Sequence, residues 1–382
     1  MENGKEYRVP CMIMRGGTSK GIFFKEEDLP TDANERDQVL LRIMGSPDLK
    51  QIDGLGGASS VTSKVAIVSV SQREDADVDY TFAQVSVDKP IVSYKGNCGN
   101  ISSAVGPFAI EQGMVKLEEP VTKVRIYNTN TDKIIEAEVE TAGGSVKYHG
   151  SYAIAGVKGT ASPIKLKFIK PSGTLSGQLL PTGSPVDKLE VPMVGEVEVS
   201  IIDAANPLVF VRAKDIGLKG TELPEEIDSN PEMLQKLEFI RGAAAKKIGL
   251  IEDISKSAWE TPGIPKLTIV ECPKEYHNVE GRLIGQGEID LLARMMSMQK
   301  AHPTYAMTGA MCTAAAAVVK GSVVWNVLRQ DTNTQNLRIG HPGGILEAGV
   351  DYTENAGEVI IDDTFGFRTA NLLLEGSACC TI

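Results

Sequence analysis

A cysteine set among glycine and asparagine residues is the first candidate for chemistry in this sequence. Cys98 lies in residues 96–104, where an extended run gives way to a helix built from small residues. Free N–H groups and the positive end of the helix dipole at such a start stabilise a thiolate and attract anions. The segment predicts a reactive cysteine at an anion-binding helix start, and a buried structural cysteine beside a glycine turn is the alternative.

The composition limits the class of protein. The 382 residues, 42% hydrophobic and 23% charged, are typical of a soluble globular protein with room for two domains. A net charge of −11 argues against nucleic-acid binding. No apolar run reaches membrane-span length and the first six residues are too polar for a signal peptide, so we expect no membrane partner and a cytoplasmic location. The six dispersed cysteines lack zinc-type spacing, so we expect neither disulfides nor a bound metal.

The secondary-structure elements around this cysteine belong to a weak internal repeat. An offset of 187 residues aligns Ser19 with Asn206, and a turn leading into an apolar strand follows the same layout in both copies. Each half also carries a helix of small residues, at 98–110 and 307–319, which we expect to be buried on all sides. Strand patterning at 65–70, 78–87 and 121–127 predicts a β-rich shell around each helix.

A proline- and glycine-rich stretch at residues 171–192 is the predicted linker between the copies. We therefore expect an α+β protein with domains at 1–185 and 186–382, and leave open that the C-terminal tail packs back on the first domain. Cys379 and Cys380 lie in that tail, which we expect to be dispensable.

Several ordered motifs carry a resemblance to a known family. The pairing of residues 98–100 at the start of a central helix with a later Asn206-Pro207 resembles the diaminopimelate epimerase fold. The ordered motifs at residues 15–21, 52–57, 62–64, 96–100 and 340–344 resemble more closely, over nearly the whole chain, the family of 2-methylaconitate cis–trans isomerases, 3-methylitaconate delta-isomerases and 4-oxalomesaconate tautomerases. The resemblance implies two pseudo-symmetric β-rich domains, each wrapped around a central helix, with the active site in the cleft between them.

The resemblance implies cofactor-independent proton transfer on a small unsaturated di- or tricarboxylate, with Lys64 and Cys98 as catalytic residues. The chemistry fits these residue types, because moving a double bond requires a group that removes an allylic proton and a group that returns one. A dienolate develops during this shift, and backbone N–H groups and a cation stabilise it. Which of the two residues is base and which is acid stays open, and an ordinary surface lysine is the alternative for Lys64.

Carboxylate recognition requires fixed hydrogen-bond donors. The glycine-rich turn offers Thr18 and Ser19, with Lys20 or Arg15 as the cation, although a plain turn would require no ligand. His341 is a further candidate whose alternative role is to shape its own turn. The predicted substrate-binding residues are Thr18, Ser19, Lys20, Asn97, Gly99, Asn100, Asn206, Thr308, Gly309 and His341.

One departure from the epimerases of this fold separates the possible activities. Those enzymes use two opposed cysteines, but the second position falls here on Met307, which has no acid or base. This disfavours a two-base amino-acid epimerase, and we expect Cys312, inside an alanine run, to be a core residue. A catalytically silent polycarboxylate binder is the other alternative. Within the isomerase hypothesis we prefer a methylitaconate-type substrate, and a homo-oligomer is possible.

Overall fold

The computed structural model describes residues 4–94, 96–355 and 357–382; the start of the polar opening segment, residues 1–3, lies outside them. The chain forms two compact units. The first extends to Lys167 and includes Phe367–Ile382, and the second is Phe168–Gly366. The domains predicted from the sequence instead meet at a single boundary, between residues 185 and 186. The difference arises because strand pairing, and not the proline-rich composition, decides which segments belong together.

The elements are given in chain order. Those up to the first boundary are β1 (Glu6–Gly16), β2 (Ser19–Lys25), α1 (Ala33–Met44), β3 (Lys64–Val70), β4 (Val78–Val85), β5 (Val92–Ser93), α2 (Gly99–Glu111), β6 (Val121–Asn128), β7 (Lys133–Ala142), β8 (Ser145–Val146) and β9 (Ile164–Ile169). The second unit follows with β10 (Asp187–Val191), β11 (Gly195–Ala204), β12 (Asn206–Arg212), α3 (Pro224–Asp228), α4 (Pro231–Lys247), α5 (Ser257–Glu260), β13 (Lys266–Glu271), β14 (Tyr276–His277), β15 (Leu283–Ile284), β16 (Leu291–Ser297), β17 (Lys300–Ala301), α6 (Met307–Val318), β18 (Leu337–His341), β19 (Gly344–Asn355) and β20 (Glu358–Arg368). The last two residues of β20 and all of β21 (Ala370–Thr381) belong to the first unit, and the last two residues of β9 belong to the second.

The first unit is a sheet packed around α2. Strands β1 and β2 form an antiparallel hairpin, β2 runs parallel to β3, β3 antiparallel to β4, β4 parallel to β6, and β6 antiparallel to β7. Every residue of α2 from Ile101 to Ile110 is buried. Small side chains allow this close packing, since a Cβ on Gly106 would lie 3.0 Å from Val139. The predicted helix and the strands at 65–70, 78–87 and 121–127 are confirmed.

The second unit is built in the same way around α6. All twelve residues of this helix are buried, in a core shared with Phe210 of β12 and Val350 of β19. The strand pairs β11–β12, β12–β13, β13–β16, β16–β18 and β18–β19 alternate between antiparallel and parallel in the order found in the first unit. The internal repeat is thereby confirmed at the level of topology.

Two segments differ from expectation. The C-terminal residues form β21, which pairs with β1 from Thr381 opposite Glu6 to Ala370 opposite Gly16, so the expectation of a dispensable tail is wrong. The proline-rich stretch lies within the second unit. Its residues 174–176 are fixed by hydrogen bonds to the buried Asp203 carboxylate, and β10 within it pairs with β11.

Within the part of the chain that the structure describes, we find no helix with the length and apolar character that crossing a membrane requires.

Candidate active site

The turn between β1 and β2 packs directly against the start of α2, and two consecutive glycines permit it. A Cβ on Gly16 would lie 2.3 Å from the Asn100 carbonyl oxygen. A Cβ on Gly17 would lie 2.2 Å from Asn100 Oδ1 and 3.1 Å from Arg368 Cδ, and Gly17 has a φ of +50°. The glycine pair therefore places Thr18 beside the helix start.

Replacing Gly17 tests this packing. We expect Gly17→Ala to lower the free energy of unfolding by about 3 kcal/mol, because strain at positive φ and overlap with Asn100 add together. Gly113→Ala is the matched control: Gly113 also has a positive φ, +64°, but nothing lies within 4 Å of its added Cβ. The control should lose only about 1 kcal/mol. Urea denaturation of both variants measures the difference, and equal losses would contradict the overlap.

Thr18 and Asn100 are joined by a hydrogen bond. Asn100 Nδ2 donates to Thr18 Oγ1 at 3.0 Å, and Thr18 is half-buried. Asn100 Oδ1 in turn accepts from Nε of Arg368 at 3.2 Å. Arg368 was not predicted from the sequence, since it lies 268 residues from Asn100 and no motif marks it.

Arg15 has a structural role that was not predicted from the sequence. Its Nη1 donates to the Gly17 carbonyl at 3.0 Å and to the carbonyl and hydroxyl oxygens of Thr369, both at 2.9 Å. The Gly17 N–H also donates to the Thr369 carbonyl at 2.9 Å. Arg15 thus holds the turn to the segment before β21. Its Nη1 is already used by these acceptors.

Ser19 and Lys20 begin β2, directly after the turn. Ser19 is 3% exposed and lies opposite Gly16 in the hairpin. Lys20 is half-buried, and its backbone N–H donates to the Val61 carbonyl at 2.9 Å. Among the described residues, no carboxylate lies within ion-pair distance of Lys20, so its ammonium group has no protein counter-ion there. Both residues stay predictions as substrate ligands.

Lys64 is a buried lysine with a neutral hydrogen-bond partner. It begins β3, is 8% exposed, and its Nζ donates to Gln84 Oε1 at 2.6 Å. The ammonium also lies 5.1 Å from the centre of the Phe82 ring. In the part of the chain that the structure describes, no acidic side chain forms an ion pair with it. A surface lysine would have full hydration, whereas this one has exchanged most of its water for an amide oxygen and a ring face.

Gln84 fixes the direction of this contact. Its Nε2 donates to the backbone carbonyls of Ser63 at 2.8 Å and Ser60 at 3.2 Å. With the amide nitrogen held by two acceptors, the amide oxygen must face Lys64. This role was not predicted from the sequence, because Gln84 becomes the neighbour of Lys64 only through the antiparallel register of β3 and β4.

Cys98 is the N-cap of α2, and its side chain makes no capping hydrogen bond. Its carbonyl accepts from the backbone N–H of Ser102 at 2.9 Å and from the Ser102 hydroxyl at 3.1 Å. Asn97 Oδ1 also accepts from that hydroxyl, at 3.0 Å. The backbone around the cysteine is therefore fixed while its partly exposed thiol stays uncapped. No residue in the first turn is acidic, so the helix dipole there is not neutralised.

Strand β4 connects the lysine to the cysteine. Tyr80, Phe82 and Gln84 alternate along it and share one face. Gln84 and Phe82 contact Lys64. The buried Tyr80 lies beside Ser102 and Cys98. Burial raises the pKa of Tyr80, and negative charge at Cys98 adds to that rise. One face of β4 therefore runs from the environment of Lys64 to that of Cys98.

The candidates in the second unit lie at turns and at the start of α6. Asn206 begins β12 after Ala205, which has a φ of +58°, and lies opposite Ala204. Thr308 and Gly309 occupy the first turn of α6 and are buried. His341 is 2% exposed, and its Nδ1 accepts from the Gly343 N–H at 3.1 Å, which supports its turn-shaping alternative. All four stay predictions as substrate ligands.

The start of α6 carries no proton-transfer group. The N-cap of this helix is Ala306 and its first residue is Met307, so neither possible counterpart of Cys98 holds an acid or base. Cys312 lies in the core, where its thiol donates to the Ile202 carbonyl at 3.4 Å and burial raises its pKa far above the usual range. The asymmetry between the two helix starts excludes a pair of thiols there.

Comparison with solved structures identifies the fold. A hydroxyproline epimerase from Agrobacterium vitis aligns with a TM-score of 0.55 at 13% identity, over 98% of this chain and 93% of that one. A methylitaconate-delta-isomerase structure aligns with a TM-score of 0.87 at 45% identity, over 98% and 96%. The protein therefore has the α+β, epimerase-like fold that the sequence analysis predicted.

Sequence comparison narrows this class to one family. The chain belongs to the PrpF protein family, whose model matches residues 6–380. It is 45% identical to the 3-methylitaconate isomerase of Eubacterium barkeri over 97% of both chains. It is 39% identical to a 2-methyl-aconitate isomerase of Shewanella oneidensis and 40% identical to a 4-oxalomesaconate tautomerase of Pseudomonas putida, each over 97% of this chain and 96% of the relative. The predicted family of isomerases and tautomerases is confirmed.

Proposed function

We propose that this protein is an isomerase that catalyses a 1,3-proton shift in a small unsaturated di- or tricarboxylate, with a 3-methylitaconate-type acid as the preferred substrate. The observation that carries the proposal is the placement of Lys64 and Cys98 along one face of β4. Two different proton-transfer groups fit a reaction that removes a proton from one carbon and returns a proton to another.

The proposed reaction breaks a C–H bond at the allylic carbon and moves that electron pair into a dienolate conjugated with a substrate carboxylate. A new C–H bond then forms at the other end of the allylic system, so no electrons are gained or lost. One of Lys64 and Cys98 takes the first proton and the other supplies the second. The free N–H groups of the first turn of α2, at Gly99 and Asn100, stabilise the negative charge that develops between the two steps.

The alternatives make different demands on the chain. A two-base epimerase requires an acid–base group at the second helix start, where this chain has Ala306 and Met307. A silent binder requires only the donors around Thr18 and Asn100. Lys64 is buried and forms no ion pair with any described residue, which favours the enzyme, because burying a cation costs free energy that simple binding of a carboxylate does not demand.

Deuterium uptake tests the proposal. The purified full-length protein is incubated in D₂O with 3-methylitaconate, 2-methylaconitate and 4-oxalomesaconate, and proton NMR follows exchange and double-bond migration. We expect isomerisation of at least one acid with deuterium at the newly protonated carbon. Binding without exchange would support the silent binder, and racemisation of diaminopimelate would support the epimerase.

A further inference from the structure

Arg368 is a buried cation without an acidic partner in the described part of the chain. The side chain is 4% exposed and lies at the end of β20, in the segment that belongs to the first unit. Burial lowers its pKa to about 10, so the guanidinium stays charged at neutral pH. Uncompensated buried charge is costly and rarely kept without a use.

The guanidinium begins a directed series of hydrogen bonds. Arg368 Nη1 donates to the Phe367 carbonyl at 2.9 Å, and Nε donates to Asn100 Oδ1 at 3.2 Å. This fixes the orientation of the Asn100 amide, because the reversed amide would point its N–H groups at the guanidinium N–H. Asn100 Nδ2 then donates to Thr18 Oγ1 at 3.0 Å.

The series ends at the Thr18 hydroxyl, whose proton is donated to no acceptor among the described residues. Thr18 Oγ1 already accepts from Asn100, so its own O–H is left to donate, and Thr18 is half-buried and so reaches solvent. Each bond in such a series polarises the next one, and the charge at Arg368 strengthens the donor at the far end. The direction of every bond in the series suits an anion that approaches Thr18.

We propose that Arg368 is a positioning residue which, through Asn100, orients the Thr18 hydroxyl to donate to one carboxylate of the substrate. The inference rests on the proposed function for the identity of that anion. It assigns the first unit a carboxylate subsite whose cation is Arg368, behind the donor, and gives a reason for the close packing of Gly17 against both Asn100 and Arg368.

A thermodynamic cycle on the full-length protein tests the inference. Calorimetry measures the Kd for 3-methylitaconate in a Lys64→Met background, where no turnover interferes. The variants are Thr18→Val, Arg368→Gln and their double mutant, with Arg368→Lys as the conservative replacement. Arg8→Gln is the matched control, since Arg8 is exposed on β1 of the same unit. Values of kcat and KM are measured in parallel in the chain that retains Lys64.

We expect Thr18→Val and Arg368→Gln each to weaken binding by about 10- to 100-fold, and the double mutant to weaken it no further than the stronger single variant. Arg368→Lys should recover part of the affinity, Arg8→Gln should leave it unchanged, and KM should change more than kcat. If Arg368→Gln fails to fold, Asn100→Asp replaces it in the cycle, because a carboxylate neutralises Arg368 and has no N–H for Thr18.

Additive losses in the double mutant, or an unchanged Kd in Thr18→Val, would overturn the inference. So would failure of the protein to bind any of the three acids. Failure of the proposed function has a different signature: Kd values that follow the expected pattern while the chain that retains Lys64 shows no exchange in D₂O.

Discussion

Lys64→Ala should abolish isomerisation while the protein stays folded. Lys64 supplies one of the two proton-transfer groups that the proposed reaction requires, and no second lysine contacts Gln84 in the described structure. The fold should tolerate the change because Lys64 makes a single side-chain hydrogen bond, and Gln84 is half-buried, so water can replace the ammonium. NMR in D₂O and thermal unfolding by circular dichroism give the two readouts.

Two further variants separate the chemistry of Lys64 from its packing. Lys64→Met keeps a long unbranched chain over the Phe82 ring and should be as inactive as Lys64→Ala, with smaller loss of stability. Lys50→Ala removes an exposed lysine from the same unit and should leave activity unchanged. Turnover above about 10% in either Lys64 variant would show that Lys64 does not transfer the proton.

Gln84 allows the geometry of the lysine to be tested without removing it. Gln84→Met eliminates the only acceptor that faces Nζ among the described residues and frees the ammonium to adopt other rotamers. We expect a clear fall in kcat with little change in KM, since substrate binding does not depend on this amide. Gln84→Glu keeps an acceptor but adds a charge that stabilises the ammonium. If Lys64 is the base, the pH profile of kcat should then move to higher pH.

The sequence predicted those parts of the fold that local patterns determine. Runs of small residues identified α2 and α6, and apolar runs, several with period-two alternation, identified β3, β4 and β6. Strand β21 was not predicted because its residues do not alternate regularly between buried and exposed positions, with both Leu373 and Leu374 exposed, and because its partner β1 lies at the opposite end of the chain. Pairing over such a separation depends on register that no local window contains.

The candidate site also contains residues that local motifs identify and residues whose roles depend on contacts between distant segments. Lys64 and Cys98 were found because motifs surround them, and the glycines at 16 and 17 indicated a close approach of backbone to its neighbours. Gln84 and Arg368 belong to residue types that normally lie at the surface, and nothing near them in sequence is unusual. Their roles arise from tertiary contacts, at separations of 20 and 268 residues.

Cys98→Ser should reduce turnover by about 10²- to 10⁴-fold, the usual range for loss of an acid–base group. The substitution is nearly isosteric, but a serine hydroxyl is a far weaker acid than a thiol and rarely ionises at neutral pH. A thiol that delivers or accepts a proton at a carbon is therefore not replaced by serine. Steady-state turnover and deuterium incorporation at each carbon are the measurements.

Stability should move in the opposite direction, which makes this substitution informative. Cys98 occupies the N-cap of α2 without a side-chain capping bond, and serine is one of the preferred N-cap residues. Cys98→Ser should therefore leave the free energy of unfolding unchanged or raise it by up to about 1 kcal/mol. A strong loss of turnover in an equally stable protein could not be attributed to unfolding. Ser102→Ala, which removes the hydroxyl that donates to the Cys98 carbonyl and to Asn97 Oδ1, should instead lower the free energy of unfolding and cause a moderate loss of activity.

Deuterium exchange at the substrate carbon that loses its proton shows which of Lys64 and Cys98 is the base and which is the acid. If Lys64 removes the first proton and Cys98 returns the second, Cys98→Ser should still exchange deuterium into the substrate at the position that loses its proton, while double-bond migration is nearly lost. Lys64→Ala should then lose both processes. The reverse pattern, with exchange kept in Lys64→Ala and lost in Cys98→Ser, would make the thiolate the base. Near-normal migration in Cys98→Ser would reduce the cysteine to an orienting role and leave Lys64 to carry both steps.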